Sequence, residues 1–528
     1  MSAMTPEQRF ERFGFALAVV LCAALAWPLR HYVTDDTFIH LQYARHLAHG
    51  QGFVFNPGEP VYGSTSPLWV VLLADGIAVG IDGLQWSKWL GAAATLAALF
   101  LWWRLVRQTL GGPWLRVMST LAWAAHAWMS RWSLSGMETP VAVALVIGGF
   151  VAFTRREPWG SRPQLASLLW ALAALARPEC VLLLVLWAAL IAAEDGITDG
   201  LSRVVRGLWP AALVYGGWLA FARVYFGTFW PNTLAAKAAG GEGFAYLLEQ
   251  WRRQAGIVGA TDGLLVLVLV VALVYCARLG ARPRWRPAVR LLPWCWLVAV
   301  PVLYTVRGVP VLSRYLVPLL PVLAWLAWRA LDRAAGPRAP WQPNAPASEP
   351  EPVVQRRANF AIVAGTALAL LVIAQNVVVW QRVVRPQVDS FSAGMHASLI
   401  PWGRWFDLHA QPDAVIAAPD IGALGYYSQR RVVDLAGLVT PAMVPILQQH
   451  SPEEAIAQFA FANFSRPDFL VDRAPVAWEL QQRSPWSSAL VPLGHAALPN
   501  LGVARPGEAV YSFYRIDWAA YDSLAARR

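Results

Sequence analysis

Thr34-Asp35-Asp36-Thr37-Phe38-Ile39 places two carboxylates side by side directly after the first apolar run of the chain. Carboxylates at a membrane surface are costly unless they are paired or used, and a carboxylate in a cleft can take the proton of an attacking hydroxyl. Adjacent side chains diverge on a helix or strand, so only one of the two can readily enter a given cleft. The competing reading is local: Asp36 caps a helix running from Thr37 to about Ala48. Further candidates follow in chain order. Gly50–Trp69, GQGFVFNPGEPVYGSTSPLW, is dense in Gly, Pro and aromatics and offers Tyr62 and Trp69 as substrate contacts. Glu138 lies in SGMETP, where it either faces a substrate or favours a helix N-terminus. Arg177-Pro178-Glu179 is either a phosphate-binding arginine or an ion pair at a hairpin tip. Asn232 and Lys237 lie in FGTFWPNTLAAK, and Arg314 in SRYLVPLLP. Lysine and arginine there suit a phosphate, arginine through its planar fork of donors; the plain alternative for Lys237 is a lysine snorkelling at the interface.

The elements that position these residues are read from composition. The chain has 528 residues, 57% hydrophobic and 14% charged, with a mean hydropathy of +0.42. Soluble domains carry about 25% charged residues, so an ordinary soluble enzyme and a disordered chain are excluded in favour of a polytopic membrane protein. The 29 Trp and 21 Phe suit interfacial belts. Cys22, Cys180, Cys276 and Cys295 all lie in apolar stretches, without a CxxC metal pattern. Residues 385–528 hold 11 basic and 13 acidic residues, so the chain's excess of positive charge sits in residues 1–384. That excess falls in short loops between apolar spans, a topology signal rather than a nucleic-acid patch.

Six segments, 9–12, 104–116, 155–162, 203–206, 278–290 and 329–357, hold 20 Arg. Placing all six inside demands an even number of crossings between neighbours. The candidate spans are 13–29, 87–103, 114–130, 137–154, 163–176, 180–193, 208–224, 261–277, 291–306, 311–328 and 359–380. The apolar stretch 67–80 is too short to span and contains Asp75, so it lies on the surface within a long outer loop, 30–86. The expected fold is thus a polytopic α-helical membrane protein with about 11 transmembrane helices, a transmembrane domain over 1–384 and an inside Pro/Ala-rich linker at 336–352. A soluble α/β domain follows over 385–528, with strand Ala414–Ala418, turn Asp420–Gly422, helix Ala423–Ser428 and strand Arg431–Leu435 as a βαβ-like unit. The N-terminus is expected inside and the C-terminal domain outside. This topology gathers Asp35, Asp36, Glu138, Arg177, Glu179, Lys237 and Arg314 on the outer side as one polar cleft.

The strings DDTFIHLQYARHLAHGQGFVFNPGEPVYGSTSPLW, SGMETP, ARPE, FGTFWPNTLAAK and SRYLVPLLP, in order over residues 10–330, resemble the landmarks of the GT-C superfamily of integral-membrane glycosyltransferases. Within it they look most like the mycobacterial-type arabinofuranosyltransferases, and DIGALGYYSQRRVVDLAGL resembles the outer domain of those proteins. The resemblance implies a GT-C fold in a bacterial inner membrane and a donor sugar, arabinofuranose, on a polyprenyl phosphate. It implies a periplasmic glycan, lipid or protein as acceptor. The acidic motif of the first outer loop would supply the catalytic carboxylate, Asp35 taking the acceptor proton and Asp36 helping. Lys237 and Arg314, with Arg177 and Asn232, would bind donor phosphate. Some relatives use a divalent metal beside the acidic motif and others do not, so no obligate cofactor is expected. Asp434 would lie near the acceptor route, against a plainer reading as a strand-end carboxylate capping a turn. A protein O-glycosyltransferase or oligosaccharyltransferase is an alternative within the superfamily, and a lipid or polysaccharide transporter is an alternative outside it.

Overall fold

Long apolar runs in a membrane satisfy their backbone only as helices or closed barrels, and the first three-quarters of the chain is helical. The computed structural model describes residues 4–154, 162–233, 243–278, 288–334, 351–498 and 509–527; the linker expected at 336–352 lies almost wholly outside them. α1 (Pro6–Ala26) leads to α2 (Asp35–Ala48), α3 (Pro67–Ala78) and α4 (Gly83–Thr109). α3, at 12 residues, is about 18 Å long at 1.5 Å per residue, short of the roughly 30 Å hydrocarbon core. α5 (Pro113–Ala124), α6 (Ala127–Ser133), α7 (Thr139–Phe153) and α8 (Pro163–Ala176) follow.

Several expected spans differ. The run 114–130 is broken into α5 and α6 at Ala125–His126, because buried polar groups satisfy the interrupted backbone. The His126 ring accepts from Met129 N at 3.3 Å, and Asn376 Oδ1 accepts from Ala127 N at 2.9 Å. The spans expected at 180–193 and 208–224 belong to one helical segment, α9 (Val181–Phe226), folded back on itself at Gly196 with φ 78°. A positive φ is free of strain only for glycine. The two arms run side by side, with Ser167 of α8 bonding Gly207 O at 2.8 Å and Trp187 lying against Gly207.

α10 (Phe244–Arg278), α11 (Leu292–Val306), α12 (Ser313–Leu316), α13 (Leu320–Ala334) and α14 (Glu351–Val379) complete the bundle. Pro318 and Pro321 fall where α12 stops and α13 begins. Among the described residues five helical stretches are long and apolar enough to cross a membrane, and four apolar helices are shorter. At one end of the bundle buried Glu11 meets Arg107 at 2.8 Å and Arg116 at 2.7 Å, while Gly111 N bonds Asp332. Three of the Arg-rich segments therefore share one end.

α14 runs through a π-helical turn, Trp380–Val384, into α15 (Arg385–Ala397) and α16 (Leu399–His409), and carries the chain into the C-terminal domain. There β1 (Val415–Ala418), α17 (Gly422–Ser428) and β2 (Arg431–Asp434) form the expected βαβ unit. With β3 (Phe469–Ala474), β4 (Leu490–Leu498) and β5 (Ala509–Ile516) they give a five-stranded sheet of order β2-β1-β3-β5-β4. β2, β1 and β3 are parallel, with Ile416 between Val432 and Phe469; β5 is antiparallel to β3 and β4. One face of this domain has no separate core. Phe38, Tyr43, Phe53, Phe55 and Trp69 of the first long loop are buried in one apolar cluster with Ile416, Leu424, Val432 and Phe513. The first loop and the C-terminal domain are one folded body.

Candidate functional site

α2 begins two residues earlier than expected, at Asp35 rather than Thr37. Its N-cap is Thr34, whose hydroxyl accepts from Thr37 N at 3.3 Å. Neither aspartate is needed as the cap, and the N-cap reading of Asp36 gives way to Thr34. Asp35 and Asp36 occupy the first turn and diverge. Asp35 turns to the C-terminal domain, where its two oxygens accept from Gly422 N and Ala423 N, each at 2.8 Å. Burial, then the nearby charge of Asp420, pushes its carboxyl up to about 7, against the two amides that favour the ionised form. Asp36 turns the other way, toward the bundle. Its side chain is 39% exposed and paired with the guanidinium of Arg314 on α12.

Arg314 is buried, lies over the rings of Tyr315 and Trp132 at 5.2 and 5.8 Å, and has an Nε without a hydrogen-bond partner among the described residues. Trp132 Nε1 donates to Ser313 Oγ at 3.0 Å and pins the segment that carries Arg314. Beside it, Arg177 links two buried carboxylates, donating to Glu138 Oε1 and Glu179 Oε1 at 2.8 Å each, beneath the Tyr315 ring at 4.6 Å. His40, four residues after Asp36 on the same face of α2, lies 3.6 Å from Glu138 Oε2 and 3.3 Å from Ser64 Oγ. Burial lowers its pKa despite the pull of Glu138. His40 was not singled out from the sequence; its spacing from Asp36 is the signal that points to it.

The structure thus brings together Asp36, Glu138, Arg177, Glu179 and Arg314 from α2, α7, the α8–α9 turn and α12. It commits several candidates to other work. Arg177 donates through Nη1 and Nε to two carboxylates, the ion pair of the plainer reading. Glu138 accepts from Arg177 through Oε1. Asn232 donates to the backbone carbonyls of Gly437 and Leu438, tying the loop after α9 to the C-terminal domain. Tyr62 is buried, stacks on Phe226 at 4.9 Å and meets Trp218 Nε1 at 2.7 Å. Trp69 is fully buried and donates to Gly136 O at 3.2 Å. Asp434 accepts from Ala436 N and Val439 N at 2.8 and 2.9 Å, the turn cap of the plainer reading. Lys237 lies outside the described residues. Among those residues no three His, Cys, Asp or Glu side chains are gathered to hold a metal ion.

An apolar groove of about 540 Å³ opens between the first loop and α9, lined by Phe53, Val71, Val214, Trp218 and Phe221. Leu175, two residues before Arg177, belongs to the same lining.

A helical bundle, a first long loop carrying an acidic pair and a C-terminal domain packed on that loop make up a fold found in solved structures. Comparison with solved structures shows this fold directly. ArnT from Cupriavidus metallidurans bound to undecaprenyl phosphate is 16% identical, with a TM-score of 0.52 over 95% of this chain and 97% of that one. The Archaeoglobus fulgidus oligosaccharyltransferase tethered with an acceptor peptide is 13% identical, with a TM-score of 0.52 over 88% of this chain and 69% of that one. In sequence, the chain is 30% identical over 254 residues to the terminal beta-(1->2)-arabinofuranosyltransferase of Mycobacterium tuberculosis (strain ATCC 25618 / H37Rv). That match covers 44% of this chain and 39% of the relative's length. Residues 391–514 match a family described as a domain of unknown function, DUF8728. These neighbours are glycosyltransferases.

Proposed function

We propose that the chain is a multi-pass glycosyltransferase of a bacterial inner membrane, its N-terminus cytoplasmic and its C-terminal domain periplasmic. It moves a sugar, arabinofuranose in the first instance, from a polyprenyl phosphate to a cell-envelope glycan, lipid or protein. The observation that carries this reading is the pairing of half-exposed Asp36 with buried Arg314. Asp36 takes the proton of the acceptor hydroxyl, whose oxygen bonds to the anomeric carbon. The bond from that carbon to the phosphate oxygen breaks, and the lipid phosphate leaves with the electron pair. Protonation of Asp36 cancels its hold on Arg314 as charge develops on the leaving phosphate, so the guanidinium becomes available when it is needed. Glu138, Arg177 and Glu179 hold the surrounding helix ends. Lys237 remains a proposed second cation for the phosphate, and the apolar groove beside Trp218 suits the first isoprene units of the carrier.

The arabinose assignment follows the sequence relative, and the polyprenyl carrier follows the ligand of the ArnT structure. The test is label transfer in nanodiscs from a panel of radiolabelled polyprenyl-phosphate sugars, with an envelope extract as acceptor. Release of polyprenyl phosphate with decaprenyl-phosphate-arabinofuranose supports the reading. Turnover with a different sugar keeps the class and changes the donor; no turnover with any of them contradicts it.

A further inference from the structure

The two adjacent carboxylates have different jobs. Each oxygen of Asp35 accepts from a backbone amide of α17, and the residue lies partly buried against the C-terminal domain. Gly422 sits so tightly on the backbone carbonyl of Asp35 that a Cβ there would collide with it. Asp420, the other nearby acid, is held by Arg473 Nη1 and Tyr511 OH at 2.7 Å each and does not compete for the amides.

The contact belongs to a continuous seam between the first loop and the C-terminal domain. Asn56 pairs with the free edge of β2, donating to Val432 O at 2.9 Å and accepting from Val432 N at 3.0 Å. Arg45 donates to Tyr426 O at 2.9 Å, and Glu59 meets Arg431 at 2.6 Å. On its other side α2 is fixed to the bundle by Thr37 Oγ1, which donates to Ser135 O at 3.0 Å. α2 is therefore gripped from both sides at its first turn, and Asp36 lies between the two grips.

We propose that Asp35 is a positioning residue: it clamps α2 to the first turn of α17 and so sets where Asp36 stands against Arg314. This rests on the reading of Asp36 as the proton acceptor, and it reassigns the role expected of Asp35 from the sequence.

The test combines amide hydrogen exchange over residues 422–424 with steady-state kinetics on decaprenyl-phosphate-arabinofuranose in nanodiscs. The variants are Asp35→Asn, Gly422→Ala, the double variant and Asp36→Asn. Asp35→Asn and Gly422→Ala, which disturb the clamp from opposite sides, should each expose the amides. Each should lower kcat by about 10-fold to 10²-fold, as a misplaced catalytic group does, with donor KM unchanged. The double variant should be no worse than either single one, because both break one contact. The pH–rate limb of the base should survive in both. Asp36→Asn should keep the amides protected and lose turnover.

If Asp35→Asn removes the pH limb and all turnover while the amides stay protected, Asp35 is the base and the proposal fails. It fails equally if Asp35→Asn and Gly422→Ala leave exchange unchanged. Should the wild type show no turnover with this or any other polyprenyl-phosphate sugar, the functional reading fails separately, and exchange alone decides whether the clamp exists.

Discussion

Arg177→Met separates a structural from a ligand-binding role for one of the two buried cations of the site. Glu138 and Glu179 side chains are 1% and 3% exposed, and Arg177 donates to both at 2.8 Å. Methionine keeps much of the volume and removes both charge-assisted bonds. Glu138 is left with His40 at 3.6 Å, and two carboxylates lose their common counter-charge. Removing one partner of a buried ion pair costs about 3–5 kcal/mol, a large part of the roughly 5–15 kcal/mol that holds a domain. Thermal unfolding in detergent should shift down strongly and expression should fall. Stability should recover when both carboxylates are neutralised in the Arg177→Met, Glu138→Gln, Glu179→Gln variant. A phosphate-binding arginine predicts the opposite pattern: an unchanged unfolding temperature with a raised donor KM. An Arg177→Met protein as stable as wild type, or a triple variant no more stable than the single one, would refute the reasoning.

Three other outcomes are expected. Asp35 has a folded-state carboxyl pushed up to about 7 from an ordinary 3.8. The folded state therefore holds a proton that the unfolded chain has lost between about pH 4 and 7, and stability falls as pH rises through that window, by up to about 4 kcal/mol. Asp434, pushed up to about 6 by burial, adds to the slope; melting curves from pH 5 to 8 should show it, and a shallower one in Asp35→Asn. Asn56→Ala leaves the Val432 amide and carbonyl unpaired at the sheet edge and should cost about 1–3 kcal/mol, read by denaturant unfolding with the bundle helicity unchanged. Trp218→Ala opens the wall of the apolar groove and should raise KM for a long-chain polyprenyl donor more than for a short-chain analogue, in a competition assay with both.

The parts of this architecture visible in the sequence are those with a local signature. Apolar length and arginine distribution located the bundle, turn chemistry around Asp420–Gly422 located the βαβ unit, and the outer-side placement of Arg314 set it beside an acidic motif. Other features have no local signature. Asp35 and Gly422, or Asn56 and Val432, meet across hundreds of residues, and no period or spacing encodes such a contact. The break at Ala125–His126 is invisible because the side chain that takes the Ala127 amide, Asn376, lies far along the chain. Arg177 and Asn232 read as phosphate ligands because a charged or amide group at a helix end looks the same whether its partner is a ligand or a buried carboxylate or carbonyl. Asp35 and Asp36 were recognised together; only the direction of each side chain on α2 assigns them different partners.

The central claim is that Asp36, paired with Arg314, takes the acceptor proton. Its most direct test is single-turnover transfer from radiolabelled decaprenyl-phosphate-arabinofuranose by wild type and Asp36→Asn, with donor binding measured alongside. Asp36→Asn should leave donor binding unchanged or tighter and lower the transfer rate by about 10²–10⁴-fold, the contribution of a general base. Transfer at the wild-type rate by Asp36→Asn would contradict it.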